Sequence, residues 1–138
     1  MIFLFKKPIS LLCAILLSTS FVAGSNVSAA VVLPDAPAYS YTSSCSSQLT
    51  ITGSTAECYS CVTGYYGSTT KIVIKQMLQK KTSSGNWEDV CSWNSTINNF
   101  MGSVTNYKYS LSSGTYRLKS VFTVYAGSNY ETITKYGY

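Results

Sequence analysis

The sequence predicts an all-β protein, a sandwich of seven short strands, and three observations favour this fold. Beyond position 47 the chain has no proline and almost no helical periodicity. Its β-branched and aromatic runs are separated by Gly, Ser and Asn breaks that recur about every ten residues, which is the spacing of a β-sandwich. Two of the runs alternate between apolar and polar side chains, which indicates strands with one buried and one solvated side.

Seven segments fit strands bounded by turn residues. The alternation is clearest in the third segment, where Ile72, Ile74 and Leu78 oppose polar neighbours, and in the sixth, where Leu118 and Phe122 do the same. We therefore expect each of these strands to place one side in a shared core. The predicted strands cover residues 48–52, 56–63, 71–80, 86–94, 104–111, 115–125 and 130–136.

The first thirty residues have the composition of a secretory signal peptide. Lys6 and Lys7 precede an apolar run that is densest at 11–17, and small residues follow it. Cleavage is expected after Ala29 or Ala30. A transmembrane anchor needs about 20 unbroken apolar residues, and polar residues interrupt this run. The predicted organisation is a signal peptide over 1–30, a flexible leader over 31–46 and a β-sandwich domain over 47–138, with the mature protein secreted and carrying no transmembrane span.

Composition argues against most catalytic chemistry and against nucleic-acid binding. The chain has no histidine, which removes Ser-His-Asp and Cys-His catalysis and histidine-containing zinc sites. Glu88 and Asp89 are neighbours, so on a strand they point to opposite sides and cannot flank one bond. Without the two signal-peptide lysines, eight basic and five acidic residues leave a charge of only +3, with no basic run. We expect no enzyme activity, no cofactor and no nucleic-acid partner.

Four cysteines follow the signal peptide, and an even number in an exported chain favours disulfides. Cys58 and Cys61 share a predicted strand, where their Cα atoms lie about 10 Å apart, beyond the ~7 Å limit for a disulfide. Cys45 is therefore expected to pair with one of them and Cys91 with the other, and both arrangements stay open. A zinc site is disfavoured because there is only one Cys-x-x-Cys pair. A redox motif is disfavoured because that pair is flanked by strand rather than by a helix N-terminus.

Two groups of residues are candidates for ligand binding. Trp87 and Trp93 lie six residues apart on one predicted strand and should face the same side, where packing against the sheet is favoured over stacking on a sugar. If the third, sixth and seventh strands share a sheet, basic side chains and apolar residues, Ile133 among them, form a second surface. That surface is either solvated, with long cationic chains covering apolar neighbours, or adhesive towards an anionic polymer. The candidate binding residues are Trp87, Trp93, Lys75, Arg117, Lys119, Tyr125 and Lys135.

Two stretches of the chain resemble immunoglobulin and fibronectin type III domains. One is 71–87, an apolar strand that leads through a Ser/Gly turn to Trp87, and the other is 114–118 leading into Phe122. Ser120, and not cysteine, stands where an inter-sheet bond to Cys58 is expected. More narrowly, the chain resembles small exported proteins of Gram-positive Firmicutes, an uncharacterised family, in its signal, its Cys/Ser/Thr-rich second strand and its runs at 71–75, 78–81 and 131–136. These resemblances imply an immunoglobulin/fibronectin-like β-sandwich and carry no activity or site.

The combined features favour a secreted, non-catalytic binding or interaction module that is retained at or near the cell envelope. Its expected partner is an anionic cell-wall polymer, a glycan or another extracellular protein. The alternative is a bacteriocin-like or toxin-like antagonistic factor, which the small size and mild positive charge suit, although no amphipathic membrane-lytic helix is visible. An enzyme that uses lysine or cysteine alone is disfavoured, because such nucleophiles rarely work without an orienting base.

Overall fold

The computed structural model describes residues 39–138, which form seven β-strands. Within this part of the chain no helix is long and apolar enough to span a membrane. The predicted signal peptide, its cleavage positions Ala29 and Ala30, and the first part of the leader lie outside the described residues. The strands are β1 (Thr42–Thr52), β2 (Thr55–Gly64), β3 (Lys71–Lys81), β4 (Trp87–Ile97), β5 (Met101–Lys108), β6 (Tyr116–Ala126) and β7 (Asn129–Gly137).

The strands form two antiparallel sheets, in the order β1-β2-β5 and β4-β3-β6-β7. Side chains from the two facing sides fill the core between them, as in an immunoglobulin/fibronectin-like sandwich. Ile72, Leu78, Leu118 and Phe122 are fully buried there. The predicted fold class, all-β with seven strands, is confirmed.

The first strand begins earlier than the sequence indicates. β1 starts at Thr42, within the segment expected to be a leader. The chain just before it is also held in place, since the amides of Ser40 and Tyr41 donate 2.8 Å hydrogen bonds to the two carboxylate oxygens of Glu131 on β7. Serine and threonine fit both loops and strands, so the composition of this segment alone does not reveal a ladder with β2.

Tyr116 fixes the connection between β5 and β6. Its hydroxyl donates a 2.7 Å hydrogen bond to the carbonyl of Ser112, four residues upstream. A tyrosine at the start of the sixth strand that bonds back into the preceding corner is the tyrosine corner of immunoglobulin-like domains. This contact supports the resemblance drawn from residues 114–118.

A layer of polar side chains divides the core into two apolar clusters. Gln76 donates 2.7 Å to the hydroxyl of Ser60 and 3.0 Å to the carbonyl of Cys58, and its own oxygen accepts 2.7 Å from Asn106. The hydroxyl of Ser120 lies 2.7 Å from that of Ser60. Because buried polar groups are costly unless they are paired, this network favours the single sheet-on-sheet register in which every partner is in reach.

A basic, aromatic sheet face as candidate binding site

The side of the four-stranded sheet that faces away from the core is basic. Alternate residues of β3 and β6 point outwards, and the ladder sets Lys71 opposite Tyr125, Lys75 opposite Val121 and Arg117 opposite Gln79. By register, Asp89 is the one acid that the described residues contribute to this side. We call this surface the outer basic face. Its cationic residues are Lys71, Lys75, Lys81, Arg117 and Lys119.

Of the five candidate residues predicted to share the second surface, four lie on the outer basic face, and Lys135 does not. Lys75, Arg117, Lys119 and Tyr125 share this side through the β3–β6 ladder. Lys135 pairs with Ser120, whose hydroxyl lies in the core, and so it belongs to the opposite side of the sheet. Its placement on the basic face was therefore wrong.

The same reversal applies to Ile133, which pairs with Phe122 and is buried. Lys135 can stand on the core side because β7 is an edge strand. Its Nζ lies 5.8 Å from the ring centroid of Tyr39, in the segment just before β1. Inward-pointing charges are a common way to protect a sheet edge. A charged residue on an edge strand thus does not identify the solvated side.

Trp87 and Trp93 lie on opposite sides of the sheet, against the prediction. A β-bulge sets Cys91 opposite Leu78 but Asp89 opposite Gln79, which leaves Val90 as the extra residue. The bulge reverses the alternation, so Trp87 reaches the outer basic face while Trp93 packs against one of the core clusters. Only Trp87 is therefore a candidate ligand contact.

Two aromatic rings lie close to the guanidinium of Arg117. Its guanidinium carbon lies 4.3 Å from the ring centroid of Trp87 and 4.4 Å from that of Tyr136, within cation–π range. Its Nε donates 2.8 Å to Gln79, whose amide in turn donates 2.7 Å to Asp89. The terminal amino groups are the donors that remain for a ligand. We call these five residues the Arg117 station.

A second cation–aromatic group lies towards the other end of the face. The Nζ of Lys71 lies 4.0 Å from the ring centroid of Tyr125, and that ring is 5.6 Å from the ring of Tyr130. Tyr130 is 63% exposed, so its ring is accessible to a ligand. We call these three residues the Lys71 station.

The side chains of the outer basic face also cover apolar and polar neighbours. Met77 and Gln79 point outwards by register, yet each is only 7% exposed. Lys119 is paired with Met77 and Arg117 with Gln79. This covering of neighbours by long cationic side chains is what the solvated interpretation of the surface predicts, and the adhesive interpretation stays a prediction.

The four described cysteines, Cys45, Cys58, Cys61 and Cys91, are free thiols, so the predicted disulfides are not formed. Cys58 points into the core, whereas Cys61 on the same strand points outwards and its sulfur lies 3.2 Å from the hydroxyl of Ser46. Cys45 pairs with the inward Val62, so it too faces away from Cys61. The rigid β1–β2 ladder therefore keeps these two thiols on opposite sides of the sheet.

Cys58 and Cys91 pack in one apolar cluster without a bond between their sulfurs. Burial, with a smaller effect from neighbouring Cys91, raises the pKa of the Cys58 thiol to about 12. Burial also raises the pKa of Cys45 and of Cys91. A thiol acts as a nucleophile or metal ligand only as its thiolate, so these environments oppose both roles. Among residues 39–138 no three Cys, Asp or Glu side chains group closely enough to hold a metal ion.

A small cavity lies at one end of the sandwich, between the β1–β2 turn and the β5–β6 connection. Its volume is about 290 Å³ and its lining is mainly serine and glycine. Ser112 in this lining already binds Tyr116 and accepts a 2.7 Å hydrogen bond from Lys80. Because the polar groups of Ser112 and Tyr116 in this lining are already bonded, the outer basic face is the stronger candidate site.

Comparison with models of known protein families and with curated protein sequences finds no match for this chain. The functional argument therefore depends on the geometry of the outer basic face. Sequence reasoning found Arg117, Lys75 and Lys119 from strand alternation. It missed the contributions of Gln79 and Tyr136, since only the strand register brings these two residues to Arg117.

Proposed function

We propose that this protein is an exported, non-catalytic binding module that attaches to an anionic polymer of the cell envelope through its outer basic face. The observation that carries the proposal is the charge distribution on one sheet side, to which residues 39–138 contribute five cationic side chains and a single acid, Asp89. A surface with one dominant sign of charge attracts ligands of the opposite sign.

The aromatic rings on the same face extend this complementarity beyond charge. Trp87, Tyr125, Tyr130 and Tyr136 stand beside the cationic groups. Aromatic rings supply large contact areas with little loss of side-chain entropy. A polymer that carries both anionic groups and sugar or polyol units fits such a surface better than a simple inorganic anion does.

Export is the second part of the proposal. The positively charged start, apolar middle and small residues before Ala29 and Ala30 support a secretory signal. The resemblance to small exported Firmicutes proteins agrees with this destination. Outside a Gram-positive cell, the anionic polymers of the wall are an abundant target for a basic face.

The absence of catalysis is supported by the chemistry of the chain. The sequence contains no histidine to act as a base. Burial raises the pKa of three of the four described thiols, Cys45, Cys58 and Cys91, which disfavours thiolate nucleophiles. A binding surface accounts for the exposed features of the domain without a reacting group.

A pull-down of the mature protein with isolated cell walls tests the proposal. Lys75→Gln/Lys119→Gln removes two charges from the outer basic face, and we expect wall binding to fall at least about tenfold. Lys108→Gln/Lys135→Gln is the matched control, because it also removes two positive charges but from positions that do not lie on that face. Raising the salt should release the wild type, because the Debye length shrinks from about 8 Å at physiological salt to about 3 Å at 1 M. Equal binding of the two double variants, or retention at high salt, contradicts the proposal.

A further inference from the structure

We infer that the outer basic face binds one extended polyanion, which it contacts at two stations near opposite ends of the sheet. This inference depends on the proposed function and specifies its ligand, namely a chain of repeated phosphate or carboxylate groups that is long enough to reach both stations. A single anionic group or a short oligomer would occupy one station only.

The separation of the stations follows from the β3 ladder. Gln79 marks the Arg117 station and Lys71 marks the other, and they lie eight residues apart on one strand. At about 3.3 Å per residue this distance is about 26 Å. Lys75 and Lys119 lie between the two marks, so positive charge continues along the path.

The Arg117 station is built to bind an oxyanion edge-on. The rings of Trp87 and Tyr136 both lie within cation–π range of the guanidinium, and Gln79 occupies its Nε. Asp89 holds the Gln79 amide in the orientation that accepts from Arg117. The terminal amino groups therefore remain for a ligand, and through them an arginine forms two parallel hydrogen bonds to a phosphate or carboxylate.

The Lys71 station offers a different kind of contact. The ammonium group of Lys71 lies above Tyr125 as a point charge, and the exposed ring of Tyr130 stands beside it. A lysine attracts an anion without fixing its geometry, while the rings provide a surface for the carbon skeleton between anionic groups. The stations therefore differ, one selecting oxyanion geometry and the other accepting the adjacent chain.

Two linked contacts on one ligand predict a step in affinity with ligand length. Once a chain spans both stations, the second contact becomes intramolecular and its effective concentration is high. Titration calorimetry with inorganic polyphosphates of graded length measures this step. The set includes chains that are shorter and chains that are longer than about 26 Å when extended. Chains just longer than about 26 Å should bind at least about tenfold more tightly than chains just shorter. This gain is additional to the gradual increase that comes from the larger number of anionic groups in a longer chain. Oligogalacturonates of matched lengths test whether carboxylates serve as well as phosphates.

Variants at each station test whether the step arises there. Arg117→Lys keeps the charge but loses the planar fork, and Tyr130→Ala removes an exposed ring at the other station. Each should lower affinity for long chains towards that for short ones, whereas Lys119→Gln, between the stations, should weaken the binding of long chains but leave the step in place. Circular dichroism checks that each variant folds. If Arg117→Lys fails to fold, Tyr130→Ala still decides the test, because it changes only an exposed side chain.

The possible outcomes separate this inference from the proposed function. A smooth rise of affinity with length in the wild type, or a step that survives both station variants, overturns the two-station site while leaving a basic binding face. If neither polyphosphate nor oligogalacturonate of any length binds and cell walls are not retained, the proposed function fails as well.

Discussion

The hydroxyl groups of Ser60 and Ser120 lie 2.7 Å apart and join the two sheets at the centre of the core. They occupy strands β2 and β6, the pair that an inter-sheet disulfide links in antibody domains. The sequence suggested Cys58 as the residue facing Ser120, but the true partner is two residues further along β2. A hydrogen-bonded serine pair therefore stands where a covalent bond is found in related folds.

Replacing both serines by cysteine should create that covalent link. The two positions are 60 residues apart in sequence, so the chain-entropy effect of a disulfide here is about 4 kcal/mol. Lost hydrogen bonds to the neighbouring polar groups offset part of it, and we expect a net gain of about 2 kcal/mol in the free energy of unfolding. Urea unfolding under oxidising and reducing conditions measures the difference. Lack of any difference, with the disulfide confirmed by mass spectrometry, contradicts the expectation.

Gln76 is the hub of the polar layer, and its loss should be costly. Its side chain is 1% exposed and bonds to Ser60, Asn106 and the carbonyl of Cys58. Gln76→Ala leaves these groups unpaired and opens a void, which should destabilise the fold by about 3 kcal/mol. Asn94→Ala, on an exposed position of β4, is the control and should change stability by less than about 0.5 kcal/mol. Chemical denaturation compares the two, and similar losses would show that the network is not important for stability.

How much of this molecule the sequence predicts depends on whether a feature is local. Strand alternation in β3 and β6 placed Lys75, Arg117 and Lys119 on one side, because the alternation of side chains along a strand is a property of the strand itself. The pairing of Arg117 with Gln79 and Tyr136 depends on the register between strands. That register is fixed by the packing of the whole core, and no pattern among neighbouring residues in the sequence indicates it.

The cysteines show a second limit of sequence reasoning. Spacing correctly separated Cys58 from Cys61, since one strand holds both. The even count of cysteines, in a chain expected to be exported, predicted disulfides that the structure does not form. The number of cysteines and the expected destination of the chain indicate only how common disulfides are in such proteins. They cannot show that Cys45 points to the opposite side of the β1–β2 ladder from Cys61.

Cys58 should make the fold sensitive to high pH. Its folded-state pKa, raised to about 12 by burial, exceeds the value near 8.5 expected in the unfolded chain. Its contribution to stability is therefore complete below pH 8.5 and is lost as pH rises towards 12, at about 1.4 kcal/mol per pH unit. Cys58→Ala should flatten the alkaline decline of stability measured from pH 8 to 11. An unchanged slope in the variant would assign the decline to other groups.

The same thiol should resist alkylation in the folded protein. Iodoacetamide reacts with thiolates, and Cys58 is fully buried as well as protonated. Cys61, beside Ser46 on the outward side of β2, is partly exposed and should be labelled first. Peptide mapping after timed labelling at pH 8 measures the order. Labelling of Cys58 before Cys61 without unfolding would contradict the described packing.

Val90 is the extra residue of the β4 bulge, and its deletion should be tolerated. Cys91 pairs with Leu78 and Asp89 with Gln79, so removing Val90 makes the ladder regular without moving either pair. Trp87 would keep its place beside Arg117. We expect a change in the free energy of unfolding of less than about 1.5 kcal/mol, since only the partly exposed Val90 side chain is lost.

Deletion of Ser92 is the matched control for the bulge, because it removes one residue from a regular part of the same strand. Ser92 pairs with Met77 between the inward Cys91 and Trp93. Without Ser92 the ladder can close only if Val90 takes the place of Cys91 opposite Leu78 and Cys91 turns to the outer side of the sheet. This deletion should therefore cost more than the Val90 deletion, by about 1 kcal/mol or more. Thermal and urea unfolding compare the two deletions. If the Val90 deletion is as damaging as the Ser92 deletion, Val90 does not stand outside the ladder, and the position of Trp87 on the outer basic face has another cause.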